Sequence, residues 1–236
     1  MFWPVFQRLE PNLIKLYRKI SQPPIPNLKG DRDIEISWIA ANMPEGPGNA
    51  LDFGCRSGWL GLLAARHGFK VSAVDLQSVK WFYSHPNLEF IHGDIFKLDL
   101  PSEYFDLIIN CSAIEHVGLS GRYGIRELNP DGDIEAMALL KKTLKPGKIM
   151  LLTIPVGREK VFKSLHRIYG ENRLLRLTQG WEMKKREFWI KDHANRWNCV
   201  EESVALKEEP LAHYYGLGLF VLRKVVVKNQ EEDKLC

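Results

Sequence analysis

Three acids stand where apolar runs end. Asp52 lies in Ala50-Leu51-Asp52-Phe53-Gly54-Cys55-Arg56-Ser57-Gly58, Asp75 closes Lys70–Val74, and Asp94 follows Leu88–His92 and Gly93. Gly54 and Gly58 let the backbone turn sharply and approach a ligand with no Cβ between. The helix expected from Trp59 then turns its N-terminal N–H groups toward that ligand. Asp75 is spaced to accept hydrogen bonds from ribose hydroxyls. A dinucleotide site wants G-x-G-x-x-G, and the chain has D-x-G-x-x-x-G instead. A carboxylate at Asp52 suits a cationic amine better than a phosphate. A second constellation, Asn110-Cys111-Ser112-Ala113-Ile114-Glu115-His116, holds a candidate base. A histidine can take up a proton near neutrality, and Glu115 can orient the ring or raise its basicity. The plainer alternative is that His116 only hydrogen-bonds a loop carbonyl.

The elements that position these residues alternate. Asp31–Met43 reads as a helix, then follow a strand at Asn49–Phe53, a helix to His67 and a strand at Lys70–Val74. Strands at Leu88–His92 and Tyr104–Asn110, a helix at Asp133–Leu144 and a strand at Lys148–Ile154 complete the series. Such alternation predicts an α/β, doubly wound, mostly parallel sheet with helices on both faces. Ligands bind at the carboxyl ends of its strands. Beyond it, Val161–Leu177 reads as a helix carrying His166, Arg167 and Tyr169 on the acceptor wall, and Glu187–Ile190 and Gly216–Lys224 read as strands. Trp181, Trp189 and Trp197 are expected to fill the core beneath this tail. His193, His213, Tyr214 and Tyr215 are weaker site candidates.

The expected division is residues 1–30 as an N-terminal helix (5–20) and proline-rich connector, 31–227 as the main domain, and 228–236 as a charged tail. The N-terminal helix is read as a packing cap. Its sharper alternative is a peripheral membrane contact anchored by Phe2, Trp3 and Phe6. A chain of 236 residues, 45% hydrophobic with net charge +4, fits one domain, and its bases are interleaved with acids. That pattern suggests a solvated surface and no nucleic-acid partner. Cys55, Cys111, Cys199 and Cys236 form no C-x-x-C pair. Free thiols in a reducing, cytoplasmic compartment are the expectation. No apolar run is long enough to cross a bilayer.

Residues 50–155 resemble the core of a class I S-adenosylmethionine-dependent methyltransferase, with Arg56 at the family's middle glycine. The resemblance implies S-adenosylmethionine as cofactor and a Rossmann-like, seven-stranded sheet ending in an antiparallel hairpin. It implies a cofactor set of Asp52, Gly54, Cys55, Gly58, Asp75, Leu76, Asp94, Ile95 and Asn110, with Leu76 against adenine, Asp94 on the adenine amine and Ile95 nearby. Asp94 is equally readable as a cap of the turn that follows it. A Glu-His pair also occurs here in ubiquinone-type O-methyltransferases that use a metal. Ser112 replaces one of their acids, so no metal is expected.

Residues 110–180 also resemble a little-characterised methyltransferase-like family, some of whose members accompany polysaccharide-assembly enzymes. The likeness is carried by Ile114–Leu119, Gly121-Arg122-Tyr123-Gly124, Asp131-Gly132-Asp133 and His166-Arg167-Ile168-Tyr169-Gly170. The expectation is O-methylation of a small molecule or glycan precursor, with His116 as base. Arg122, Tyr123, His166 and Tyr169 are the candidate acceptor contacts. Arg122 can clamp an anion, or pair with Asp131 or Asp133 and hold its loop shut. Methylation of nitrogen or carbon, and a cofactor-binding module without catalysis, are the alternatives. A nicotinamide oxidoreductase is disfavoured by the glycine spacing. Base methylation is disfavoured because Asn110-Cys111-Ser112-Ala113 is not an Asp/Asn-Pro-Pro-aromatic motif.

Overall fold

The computed structural model describes residues 30–226 apart from Ser57, and not the side chain of Arg122. The expected N-terminal helix, connector and charged tail lie outside the described residues. Helix α1 (Asp31–Asn42) carries Asp31 and Asp33 in its first turn, where the helix dipole favours acids. It buries Glu35, Trp38 and Ile39 at i, i+3 and i+4 and stops ahead of Pro44. Then come β1 (Gly48–Phe53), α2 (Leu60–Arg66), β2 (Phe69–Asp75), β3 (Leu88–His92) and β4 (Phe105–Cys111). After a long loop, α3 (Gly132–Thr143) leads straight into β5 (Leu144–Val156), four residues earlier than its sequence suggested.

The segment after β5 corrects one expectation. Residues 161–170 are not helical: β6 (Lys160–Phe162) and β7 (His166–Ile168) form an antiparallel hairpin, and only α4 (Glu171–Leu177) is a helix. His166, Arg167 and Ile168 are all buried, which a helix lying on one side of a core cannot arrange. Gly170 marks the break, because a Cβ there would lie 2.8 Å from the backbone nitrogen of Glu159. Next come β8 (Trp181–Lys191), β9 (Trp197–Val200), the short α5 (Glu202–Ala205) and β10 (Gly216–Lys224).

The main sheet has eight strands in the order β3-β2-β1-β4-β5-β10-β8-β9, one more than expected because β9 adds an edge. The first five pair in parallel. β10 is antiparallel to both β5 and β8, and so forms the expected C-terminal hairpin within the sheet. Alternate residues feed two cores. Ile108, Leu152 and Phe220 face α3 and its Met137 and Leu140. Ile109, Leu151 and Leu219 join α1 and α2 through Ile39, Leu60 and Ala64. Trp181 packs on the first cluster and Trp189 on the second. Trp197 donates its indole N–H to the Gly30 carbonyl at 3.1 Å. Every parallel strand thereby ends at the same edge, and the crevice opens there.

Candidate active site

A cavity of about 970 Å³ lies along that edge. The turn after β1 lines it. Gly54 has φ 68, and a Cβ on it would collide with Ala113 after β4. Arg56 has φ 45, a left-handed backbone that costs a non-glycine residue roughly 1–2 kcal/mol. Local bonds hold it. Its N–H donates to Asp75 Oδ2 at 2.8 Å and its carbonyl accepts the Trp81 indole N–H at 3.0 Å. The Tyr83 hydroxyl ties down the Gly58 carbonyl in the same way. Arg56 thus lines the cavity with its backbone in the conformation a glycine would take, while the residue as a whole is exposed.

The expected cofactor residues Asp52, Gly54, Cys55, Gly58, Asp75, Leu76, Asp94 and Ile95 all line this cavity. Asp52 is buried, and burial pushes its carboxyl up to about 7 against the opposing N–H of Gly61 in the first turn of α2. Asp75 Oδ1 accepts the Gln77 N–H at 2.8 Å, so both its oxygens brace backbone. Asp94 Oδ1 accepts the Phe96 N–H at 3.1 Å, so the residue caps its turn as well as facing the cavity. Asn110 differs from the rest of the expected set. It lies outside the cavity wall, fully buried at the end of β4, and neither amide atom meets a partner among the described residues.

Glu115 and His116, in the 3₁₀ turn Ile114–His116, also line the cavity. His116 Nδ1 lies 2.6 Å from the Leu165 carbonyl. A carbonyl only accepts, so Nδ1 carries the proton and Nε2 is the basic nitrogen. The hydrogen bond to a loop carbonyl is therefore present, and it is also what selects the tautomer. Nε2 lies 3.7 Å from Glu115 Oε1. Burial pushes the Glu115 carboxyl up to about 8, and its Oε2 has no partner among the described residues. Tyr123, left-handed at φ 61, meets the His116 ring edge-on at 5.5 Å. The His166 ring lies 6.2 Å from that of His116 and 5.2 Å from that of Tyr215.

Tyr169 is not on the wall. It is fully buried, and its hydroxyl donates to Asp133 Oδ2 at 3.0 Å. Asp131 and Asp133 are engaged by Arg173, Arg176 and Arg167. Sequence reasoning undervalued His213 and Tyr215, and it read α1 as a helix without seeing that it brings Asp31 and Arg32 to the cavity. Arg32 pairs with Glu35 at 3.0 Å. Glu35 is fully buried beneath Ser112 and Thr153, and burial raises its pKa. The readable signal was an acid on the apolar face of a helix, in step with Trp38 and Ile39. Among the described residues no group of three or more His, Cys, Asp or Glu is placed to hold a metal, and no helix is long and apolar enough to cross a membrane.

Comparison with known proteins agrees with this geometry. The chain is 27% identical over 119 residues to uncharacterized methyltransferases of Mycobacterium bovis and Mycobacterium tuberculosis, a match covering 46% of this chain and 59% of the length of those relatives. Among solved structures it resembles the Burkholderia thailandensis 1,6-didemethyltoxoflavin-N1-methyltransferase bound to 1,6-didemethyltoxoflavin and S-adenosylhomocysteine, with TM-score 0.57, 16% identity, and 92% of this chain and 88% of that one covered. A Mesorhizobium loti S-adenosylmethionine-dependent methyltransferase gives 0.56, at 17% identity and 84% and 100% coverage. The [4+2]-cyclase SpnF also gives 0.56, at 18% identity and 81% and 80% coverage. These likenesses establish the fold. A family model described as Caenorhabditis protein of unknown function, DUF268, matches residues 91–224, more than half of the chain. The chain belongs to that family, on a Rossmann-like methyltransferase fold.

Proposed function

We propose that the protein is an S-adenosylmethionine-dependent methyltransferase that methylates a hydroxyl of a small molecule or glycan precursor, with His116 as the base. The observation that carries this reading is the bond between His116 Nδ1 and the Leu165 carbonyl. It leaves Nε2 basic on a residue that lines the same cavity as Asp52, Asp75 and Asp94. The residues fit the cofactor. Gly54 lets the turn after β1 pass close against Ala113, where a Cβ would collide. Asp52 would hold the amine, Asp75 the ribose, and Leu76, Ile95 and Asp94 the adenine, and all five line the cavity. Arg32, half-exposed on the same wall, would pair with the carboxylate.

When bound, the cofactor supplies a methyl group made electrophilic by its positively charged sulfur. The protein's part is alignment, exclusion of water and removal of one proton. Holding acceptor and donor in line supplies several kcal/mol of the barrier. His116 Nε2 would take up the proton of the acceptor hydroxyl as that oxygen becomes the nucleophile. Tyr123 and His166 offer ring faces and edges to the acceptor. The free thiols Cys55, Cys111 and Cys199 support a reducing, cytoplasmic setting. Calorimetry with S-adenosylmethionine, followed by labelled-methyl transfer into a metabolite extract, tests the reading. Cofactor binding and a labelled ether product are expected. Binding with no transfer points to a regulatory module, and label on nitrogen or carbon points to the other methyltransferase classes. Absence of binding at millimolar cofactor removes the proposal.

A further inference from the structure

Arg167 is one of the largest fully buried side chains, 1% exposed, and none of the chemistry above uses it. Its guanidinium reads main chain. One terminal nitrogen donates to the Glu115 carbonyl at 3.3 Å and the Val117 carbonyl at 2.5 Å. The other donates to the Asn129 and Pro130 carbonyls at 3.1 and 3.2 Å. Nε lies 3.7 Å from Asp133, whose charge is shared with Arg173 and the Tyr169 hydroxyl. The first two carbonyls flank His116. The carbonyl that holds the His116 ring belongs to Leu165, two residues before Arg167 in the turn of the same hairpin. One short hairpin therefore grips His116 twice, by the ring and by the backbone on either side.

We infer that Arg167 is a positioning residue: through the carbonyls of Glu115 and Val117 it holds His116 in register with Leu165, and so sets the ring tautomer that leaves Nε2 basic. This deepens the proposed function and rests on it for its catalytic meaning, but the geometric claim is separate from the identity of the acceptor. Only a fork with several N–H groups in a plane can serve two pairs of carbonyls from one side chain. A lysine ammonium in the same place keeps the charge facing Asp133 and cannot span both pairs. A burial role alone would be indifferent to that exchange beyond its effect on stability.

The test is ¹⁵N NMR of the histidine rings in the protein without ligands, with the His116 signals assigned by their loss in His116→Gln. Wild type is expected to show Nδ1 protonated and Nε2 bare. Arg167→Lys and Arg167→Met are expected to mix the two tautomers, with both nitrogens moving toward averaged shifts. Arg173→Met is the control. It removes partners of Asp133 and Pro130 but touches no carbonyl beside His116, and it should keep the wild-type tautomer even as the melting temperature falls. A single Nδ1–H tautomer retained in folded Arg167→Lys overturns the inference, as does mixing in Arg173→Met equal to that in Arg167→Lys. Should Arg167→Met not fold, the lysine variant and the control still decide. A wild-type ring protonated at Nε2 also overturns it. Loss of methyl transfer in His116→Ala bears on the proposed function and not on this result.

Discussion

The two parts of the cavity lining are built by different means. On the proposed cofactor side, residues 52–56, 58, 75–76 and 94–95 lie at or just beyond the ends of adjacent parallel strands. Sheet geometry delivers them, and each acid braces backbone a few residues or one strand away. On the proposed acceptor side, the wall is gathered from α1, the Ile114–His116 turn, the 123–129 loop, the β6–β7 hairpin and the approach to β10. No ladder joins these pieces. Buried polar side chains do, chiefly Arg167 and Asp133 on one side and Glu35 on the other. The first follows from the sheet topology, and the fold is shared with proteins of 16–18% identity. The second is written in this chain's own side chains, and specificity is expected to reside there.

Perturbing each part should therefore fail differently. The largest effect is expected from His116→Ala, a fall in kcat of about 10²–10⁴-fold, the usual worth of a general base. Cofactor affinity by calorimetry should stay within twofold of wild type. Asp133→Asn comes next. It leaves Arg167 and Arg173 without their fully buried counter-charge, and breaking a buried pair costs about 3–5 kcal/mol. Calorimetric melting should drop by roughly 10 °C at about 2–4 °C per kcal/mol. An unchanged melting temperature would mean that the acceptor wall does not depend on this network.

Glu115→Gln separates charge from shape. Burial holds the Glu115 carboxyl up near 8, against an ordinary value near 4.5. Between those values the unfolded chain releases a proton that the folded protein keeps, so stability falls as pH rises through that window. The neutral amide escapes this penalty. The variant should gain stability over wild type at pH 8 and little at pH 4.5, a difference of a few kcal/mol at about 1.4 kcal/mol per unit. Urea melts at the two pH values read it directly. The smallest effect is expected on the proposed cofactor side. Arg56→Gly relieves a left-handed backbone but loosens the unfolded chain, so stability should move by less than about 1 kcal/mol with cofactor binding preserved. A tenfold loss of affinity would show that the Arg56 side chain contributes to binding.

The same contrast explains what could be read from the amino acids alone. The parallel strands and the glycine turn were legible because apolar runs, glycines and terminal acids are local signals. Arg56 at the middle-glycine position was legible too, since backbone conformation there can be held by Asp75 and the Trp81 indole. The β6–β7 hairpin was not. Val161, Leu165, Ile168 and Tyr169 repeat at helical spacing, yet the chain from 160 to 168 pairs with itself and buries residues on every side. Asn110 was placed in the pocket by its strand-end position, and one step of side-chain alternation points it elsewhere. Glu35 escaped notice because its partners Ser112 and Thr153 are 77 and 118 residues away.

The placement of β10 has a consequence for how the molecule is made. Residues 216–224 come late in the chain, yet they occupy an interior rung, between β5 and β8. During synthesis the emerging polypeptide can align its first five parallel rungs and still present a raw, apolar margin along Leu144–Val156 until that late segment leaves the ribosome. Such a margin invites pairing with the wrong neighbour. The slow step in reaching the native state is therefore expected to be insertion of this wedge, and holdase chaperones would find their target at the unfilled gap.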